Sequence, residues 1–148
     1  MAKTSKDKVN VPTDEKGNFS RDGIKVRGFG RFLKSFGYSL EGLAYAYKYE
    51  QSMLIHVIVT IIVVAVNILF KVDLMVWLVT LLAIGMVLSA ELINTAIEAV
   101  VDLVTMEIHP LAKIAKDCGS AATFVLACMA AALGVVVYAP ILFNLLGL

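Results

Sequence analysis

The chain has 148 residues, 59% of them hydrophobic and 17% charged, against an apolar share of ~45–50% in soluble domains. That excess argues against a water-soluble domain. The net charge of +1 says nothing about partners, but the charge is unevenly spread. Ten of the thirteen Lys and Arg lie in residues 1–50, and most charges of the remaining chain cluster between Glu91 and Asp117. The basic start (Lys3, Lys6, Lys8, Lys16, Lys25, Arg27, Arg31, Lys34) suits an anionic membrane surface better than nucleic acid, because apolar spans follow it.

Residues 1–28 are polar and interrupted by Pro12. They bury too little apolar surface to offset the entropy of ordering, so a flexible cytoplasmic tail is expected. They hold no hydrophobic run and no small-residue cleavage site, so no signal peptide is expected. From residue 29 to 49 the pattern changes. Phe29, Phe32, Leu33, Phe36, Leu40, Leu43 and Tyr47 recur at helical spacing, with Arg31, Lys34, Glu41 and Lys48 largely off that face. An amphipathic helix with a basic edge, just ahead of a membrane span, fits the bilayer interface.

Three spans follow, near 53–70, 74–101 and 120–146, each with the ~20 apolar residues a bilayer core requires. Three strands cannot close a barrel in lipid, so the Val-rich stretches are expected to be helices. Lys71-Val72-Asp73 makes the first two spans a hairpin. The positive charges place the N-terminus and the loop before the third span in the cytoplasm, and the 71–73 turn and C-terminus outside. Trp77 and Tyr138 suit interfacial anchors. Cys118 and Cys128 are too far apart for a zinc or CxxC pattern and read as packing residues.

The second span carries the unusual feature. Leu74 to Ala90 has no charge, and then "ELINTAIEAVVD" sets Glu91, Asn94, Thr95, Glu98 and Asp102 within an arc of about 100° on one helix face. Polar groups in such a helix can join helices in an oligomer. Three acids on one stripe, at the cytoplasmic level shared by Glu50 and the Lys116-Asp117 pair, point instead to a functional site. Glu91 and Glu98 stand about 10 Å apart along the axis. Glu91, the deeper, suits a general base, while Glu98 suits Mg²⁺, a hard cation that takes oxygen ligands. Asn94 between them can orient either. Carboxylates, a lysine and Mg²⁺ together suit phosphoryl transfer, although no GxxxxGK[ST] loop is present. His56 reads as an interface histidine or a catalytic one. Glu107 and His109 read as loop residues or nucleotide contacts. An oligomeric proton or cation pathway is a distant alternative, which would place its carboxylates nearer mid-span.

"ELINTAIEAVVDLV", "HPLAKIAKDCGSAA" and the upstream "GRFLKSFGYSLEGLAYAYKYE" together resemble the small prokaryotic membrane lipid kinases, diacylglycerol kinase and undecaprenol kinase, across about residues 29–146. The resemblance implies an all-α fold of one surface helix and three transmembrane helices, a homotrimer with shared active sites, and MgATP-dependent phosphorylation of a lipid hydroxyl at the bacterial inner membrane. It implies Glu91 as general base and Glu50 and Glu98 as Mg²⁺ and ATP-phosphate ligands. By the same match Asn94, Lys116 and Asp117 line the catalytic and nucleotide site, and Asp102 is a further acid of the motif. Arg31, Tyr38, Glu107 and His109 match positions near the nucleotide, and Leu40 and His56 positions near the lipid. Leu40 stands where the well-known diacylglycerol kinase has Trp, and His56 where it has Glu. With "HPLAKIAKD", His56 is more similar to the undecaprenol kinases, so undecaprenol is the expected lipid and diacylglycerol the alternative.

Overall fold

The computed structural model describes residues 29–147, apart from the side chain of Arg31. The expected N-terminal tail therefore lies outside the described residues. The chain divides into two units that part at Glu41. Among the described residues every element is a helix: α1 (Phe29–Tyr49), α2 (Gln51–Leu69), α3 (Leu74–Val104) and α4 (Pro110–Leu146). The last three are each long and apolar enough to cross a membrane.

Each helix end has an identifiable cause. α2 ends with Lys71 at positive φ (49°), where the Val72 N–H donates to the Asn67 carbonyl and the Lys71 N–H to the Ile68 carbonyl. This paired closure satisfies carbonyls that the last turn would leave bare. Asp73 then starts α3, its Oδ1 accepting from the Val76 N–H at 3.0 Å. Pro110, which has no amide hydrogen to lose, opens α4. His109 caps it through Nδ1, which accepts from the Leu111 N–H at 3.2 Å. α4 thus begins ahead of the apolar stretch expected from Ser120, and its first turns carry Lys113, Lys116 and Asp117.

α3 packs most extensively on α4 and less on α2. Among the described residues, α2 and α4 make no close backbone approach. A buried polar group joins the three helices at the end remote from Glu98. Asn67, 1% exposed, donates to Thr80 Oγ1 at 2.8 Å and accepts from the Tyr138 hydroxyl at 2.6 Å. Thr80 in turn donates to the Val76 carbonyl at 2.8 Å. The hydroxyl of Tyr138, expected to anchor at the lipid headgroups, is turned inward to Asn67. Apolar residues dominate the exposed surface of α2, α3 and α4, among them Ile61, Leu82 and Val136. In lipid such a surface carries no penalty.

α1 carries its own aromatic series. Phe32 and Phe36 meet edge to face at 5.0 Å between ring centroids. Phe29, Leu33 and Leu40 are exposed.

Candidate functional site

The polar stripe of α3 does not face lipid. Glu91 is 3% exposed, and Asn94 and Thr95 are buried. Thr95 uses its hydroxyl on the Glu91 carbonyl at 3.0 Å, the return bond that a helical Thr commonly makes. It therefore secures the helix under Glu91 rather than offering a ligand group. Asn94 Nδ2 donates to Glu98 Oε1 at 3.0 Å, fixing the outer carboxylate from one turn below.

α2 supplies the opposite wall. Ser52 donates its hydroxyl to Glu91 Oε1. One turn on, His56 Nε2 stands 4.0 Å from Glu91 Oε2. The two oxygens of Glu91 are thereby distinguished: Oε1 is taken by Ser52, and Oε2 faces His56. Glu50 precedes α2 at the N-cap position, but its side chain makes no capping bond and its carboxylate is left for other work.

α4 closes the third side. Gly119 lies against Asn94, so closely that a Cβ there would overlap Asn94 Oδ1. The resulting cavity, about 300 Å³, is lined by Glu50, Ser52 and His56, by Glu91, Asn94 and Glu98, and by Ser120, Thr123, Phe124 and Ala127. Two buried oxygens, Asn94 Oδ1 and Thr123 Oγ1, have no hydrogen-bond partner. Three carboxylates and no Lys or Arg line this cavity. Such a charge balance favours a cation.

A second cavity adjoins the first. It is apolar, about 650 Å³, and runs between α2, α3 and α4 from His56 and Ala127 to Thr80 and Tyr138. His56 and Ala127 line both spaces. A molecule with a polar end and a long apolar body would find matched surroundings on the two sides of that seam.

The structure thus brings together Glu50, His56, Glu91, Asn94 and Glu98. It holds other candidates apart from this cavity. Lys116 Nζ pairs with Asp102 Oδ1 at 2.6 Å, and Asp117 pairs with Lys113 on exposed α4 surface. Asp102, at the end of the stripe, therefore has a partner across the α3–α4 contact. His109 is an exposed helix cap, and Glu107 lies in the exposed loop, its N–H donating to Thr105 Oγ1 at 3.1 Å. Tyr38 and Leu40 are exposed on α1, and the Arg31 side chain is outside the described residues. Sequence reasoning missed Ser52 and Thr123. Each is a small hydroxyl residue in a largely apolar helix, and helical spacing from His56 was the only signal available for Ser52.

Comparison with known proteins gives the family. Residues 37–138 match the family described as prokaryotic diacylglycerol kinase. The chain is 36% identical to the undecaprenol kinase of Bacillus subtilis over 110 residues, which are 74% of this chain and 89% of that protein. It is 40% identical to the diacylglycerol kinase of Pseudomonas aeruginosa over 98 residues, 66% of this chain and 80% of that one. The diacylglycerol kinase of Escherichia coli K12 matches at 35% over the same number of residues and the same shares. The chain therefore belongs to the prokaryotic diacylglycerol kinase family, the membrane-embedded lipid kinases that draw phosphate from ATP.

Proposed function

We propose that this kinase phosphorylates undecaprenol, or a polyprenol like it, at a site built around Glu91 in a homotrimer of the bacterial cytoplasmic membrane. The observation that carries the reading is the position of Glu91. It is a buried carboxylate with one oxygen held by Ser52 and the other turned toward the seam between the polar cavity and the apolar cleft. A lipid alcohol entering the seam would bring its hydroxyl to Glu91 Oε2.

Glu91 Oε2 takes the hydroxyl proton as the lipid oxygen bonds to the γ-phosphorus of ATP. The bond from that phosphorus to the β–γ bridging oxygen breaks, and ADP leaves with both electrons of the bond. General-base help of this kind contributes about 10²–10⁴-fold. Glu50 and Glu98 fit Mg²⁺, with the unpartnered Asn94 Oδ1 as a further oxygen donor. A hard cation of this kind is commonly held by one or two carboxylates and the substrate phosphates. When bound, Mg²⁺ supplies charge neutralisation for the phosphates. Lys116 and Asp117, with Asp102, Glu107 and His109, are read as the outer nucleotide-facing set, since none of them lines the base cavity, and Arg31 and Tyr38 join that set on the family resemblance alone.

Positive charge supports a cytoplasmic N-terminus and site and an external C-terminus, with α1 as the surface helix and residues 29–148 as the kinase domain. Undecaprenol is favoured over diacylglycerol because His56 stands beside Glu91 and lines the apolar cleft. The test is purified protein with radiolabelled ATP, offered undecaprenol and diacylglycerol in competition. Label should go predominantly to undecaprenol, and a predominance of phosphatidic acid would reverse the lipid assignment. Glu91→Gln should lose turnover by about 10²-fold or more while MgATP binding, measured by calorimetry, persists. Near-normal turnover in that variant would remove Glu91 from the base role.

A further inference from the structure

We infer that Thr123 is a substrate-contacting residue whose hydroxyl pairs with the acceptor hydroxyl of the lipid and presents it to Glu91. The inference rests on Glu91 as the base of the reading above and adds to it a second contact on the acceptor side.

Thr123 is 6% exposed, and its Oγ1 has no partner. A helical threonine in an apolar setting normally returns its hydroxyl to a carbonyl one turn earlier. Thr60 does so to His56 at 2.8 Å, Thr80 to Val76 at 2.8 Å and Thr95 to Glu91 at 3.0 Å. Thr123 makes no such bond and lines the carboxylate cavity instead. An unpaired buried hydroxyl is a cost in the empty protein, which a ligand able to hydrogen-bond it would remove.

The position identifies that ligand group. Gly119 on α4 lies against Asn94 on α3, and the two helices run in opposite directions. One turn onward from Gly119 is Thr123, and one turn back from Asn94 is Glu91. Thr123 is thus level with the base, and a full turn deeper than the level of Asn94. The next turn of α4 carries Ala127, which lines the apolar cleft as well. A group beside Thr123 lies at the level of Glu91 and one turn from the residue that borders the cleft, where the hydroxyl end of a lipid belongs and the phosphates of ATP do not.

Thr123→Val keeps the branched shape and removes only the hydroxyl. In the full-length enzyme, steady-state kinetics would be measured with undecaprenol and, separately, with a diacylglycerol. The variant should raise KM for the lipid by about five- to tenfold, the usual worth of one neutral hydrogen bond. KM for ATP should stay unchanged and kcat within about twofold. Thr123→Ser should restore the lipid KM. Thermal unfolding of the ligand-free Val variant should be no easier than wild type, because a buried unpaired group has gone. An unchanged lipid KM would overturn the inference, as it would if only a trapped water met the hydroxyl. A lowered unfolding temperature with both KM values altered would also overturn it, by showing a structural role. Glu91→Gln run alongside separates the two readings. If that variant is dead and Thr123→Val is unaffected, the contact fails and the base stands. If Glu91→Gln turns over while Thr123→Val shows the lipid effect, the contact stands and the base fails.

Discussion

At the scale of single residues, the site depends on which oxygen of Glu91 is occupied. Ser52 holds Oε1, so the carboxylate cannot rotate freely and Oε2 keeps its aim. Ser52→Ala should lower kcat by about tenfold, in line with loss of a hydrogen bond to a charged group, with KM for ATP unchanged. Ser52→Thr should recover most of the rate. Equal kcat in Ser52→Ala and wild type would show that Glu91 is held by other means. The carboxylates of this site were legible in the sequence because Glu91, Asn94 and Glu98 recur at helical spacing in an otherwise apolar run, where charge needs a reason. Ser52 and Thr123 were not legible. Hydroxyls in apolar helices look alike in sequence whether they bond back to their own helix, as Thr60 and Thr95 do, or face a cavity. Only the packing of α2 and α4 against α3 separates the two cases.

At the scale of helices, two polar connections hold the bundle at opposite ends. Asn67 bonds Thr80 and Tyr138 at one end, and Lys116 bonds Asp102 at the other. They should differ in weight. Asn67 is buried, so Asn67→Ala leaves the Tyr138 hydroxyl without its acceptor and removes the bond to Thr80, and should cost about 1–2 kcal/mol. Unfolding in detergent micelles, followed by circular dichroism, would report it. The Lys116–Asp102 pair is half exposed, so solvent screens it, and a double-mutant cycle should show a much smaller loss of stability than Asn67→Ala. The helices themselves were legible from hydropathy and turn signals. Their partners were not: the Asn67 bonds connect residues far apart in the chain, and the apolar periodicity of α3 does not say which face meets α4. The start of α4 at Pro110 was missed for a different reason. A hydropathy reading detects where lipid begins, whereas a helix begins where its first amides are capped, here at His109.

At the scale of the whole molecule, a single chain already gathers the carboxylates proposed for phosphoryl transfer. Glu50, Glu91, Asn94 and Glu98 line a single cavity within α2 to α4. If the enzyme is a trimer, co-assembled Glu91→Gln and Glu98→Ala chains should not restore activity, because every site would still lack one of the two. Activity measured on mixed, differently tagged oligomers tests this. Recovery above the parent variants would mean that the acids of one centre are drawn from different subunits.

The gap between α2 and α4 has a further consequence for traffic. These helices touch α3 but do not approach each other closely, and they are tied through Asn67 and Tyr138 at only one end. The apolar cleft of about 650 Å³ lies in the space between them, lined by Val59 and Val66 of α2 and by Ala130 and Leu133 of α4. An alcohol with a long chain would lose about 0.8 kcal/mol for every CH₂ exposed to water on the way to the base, a prohibitive sum for a polyprenol. Entry from within the bilayer involves no such exposure. On the reading proposed above, the chain would stay dissolved in the bilayer while its terminal hydroxyl reached the base, so the supply of the lipid would be set by lateral diffusion in two dimensions.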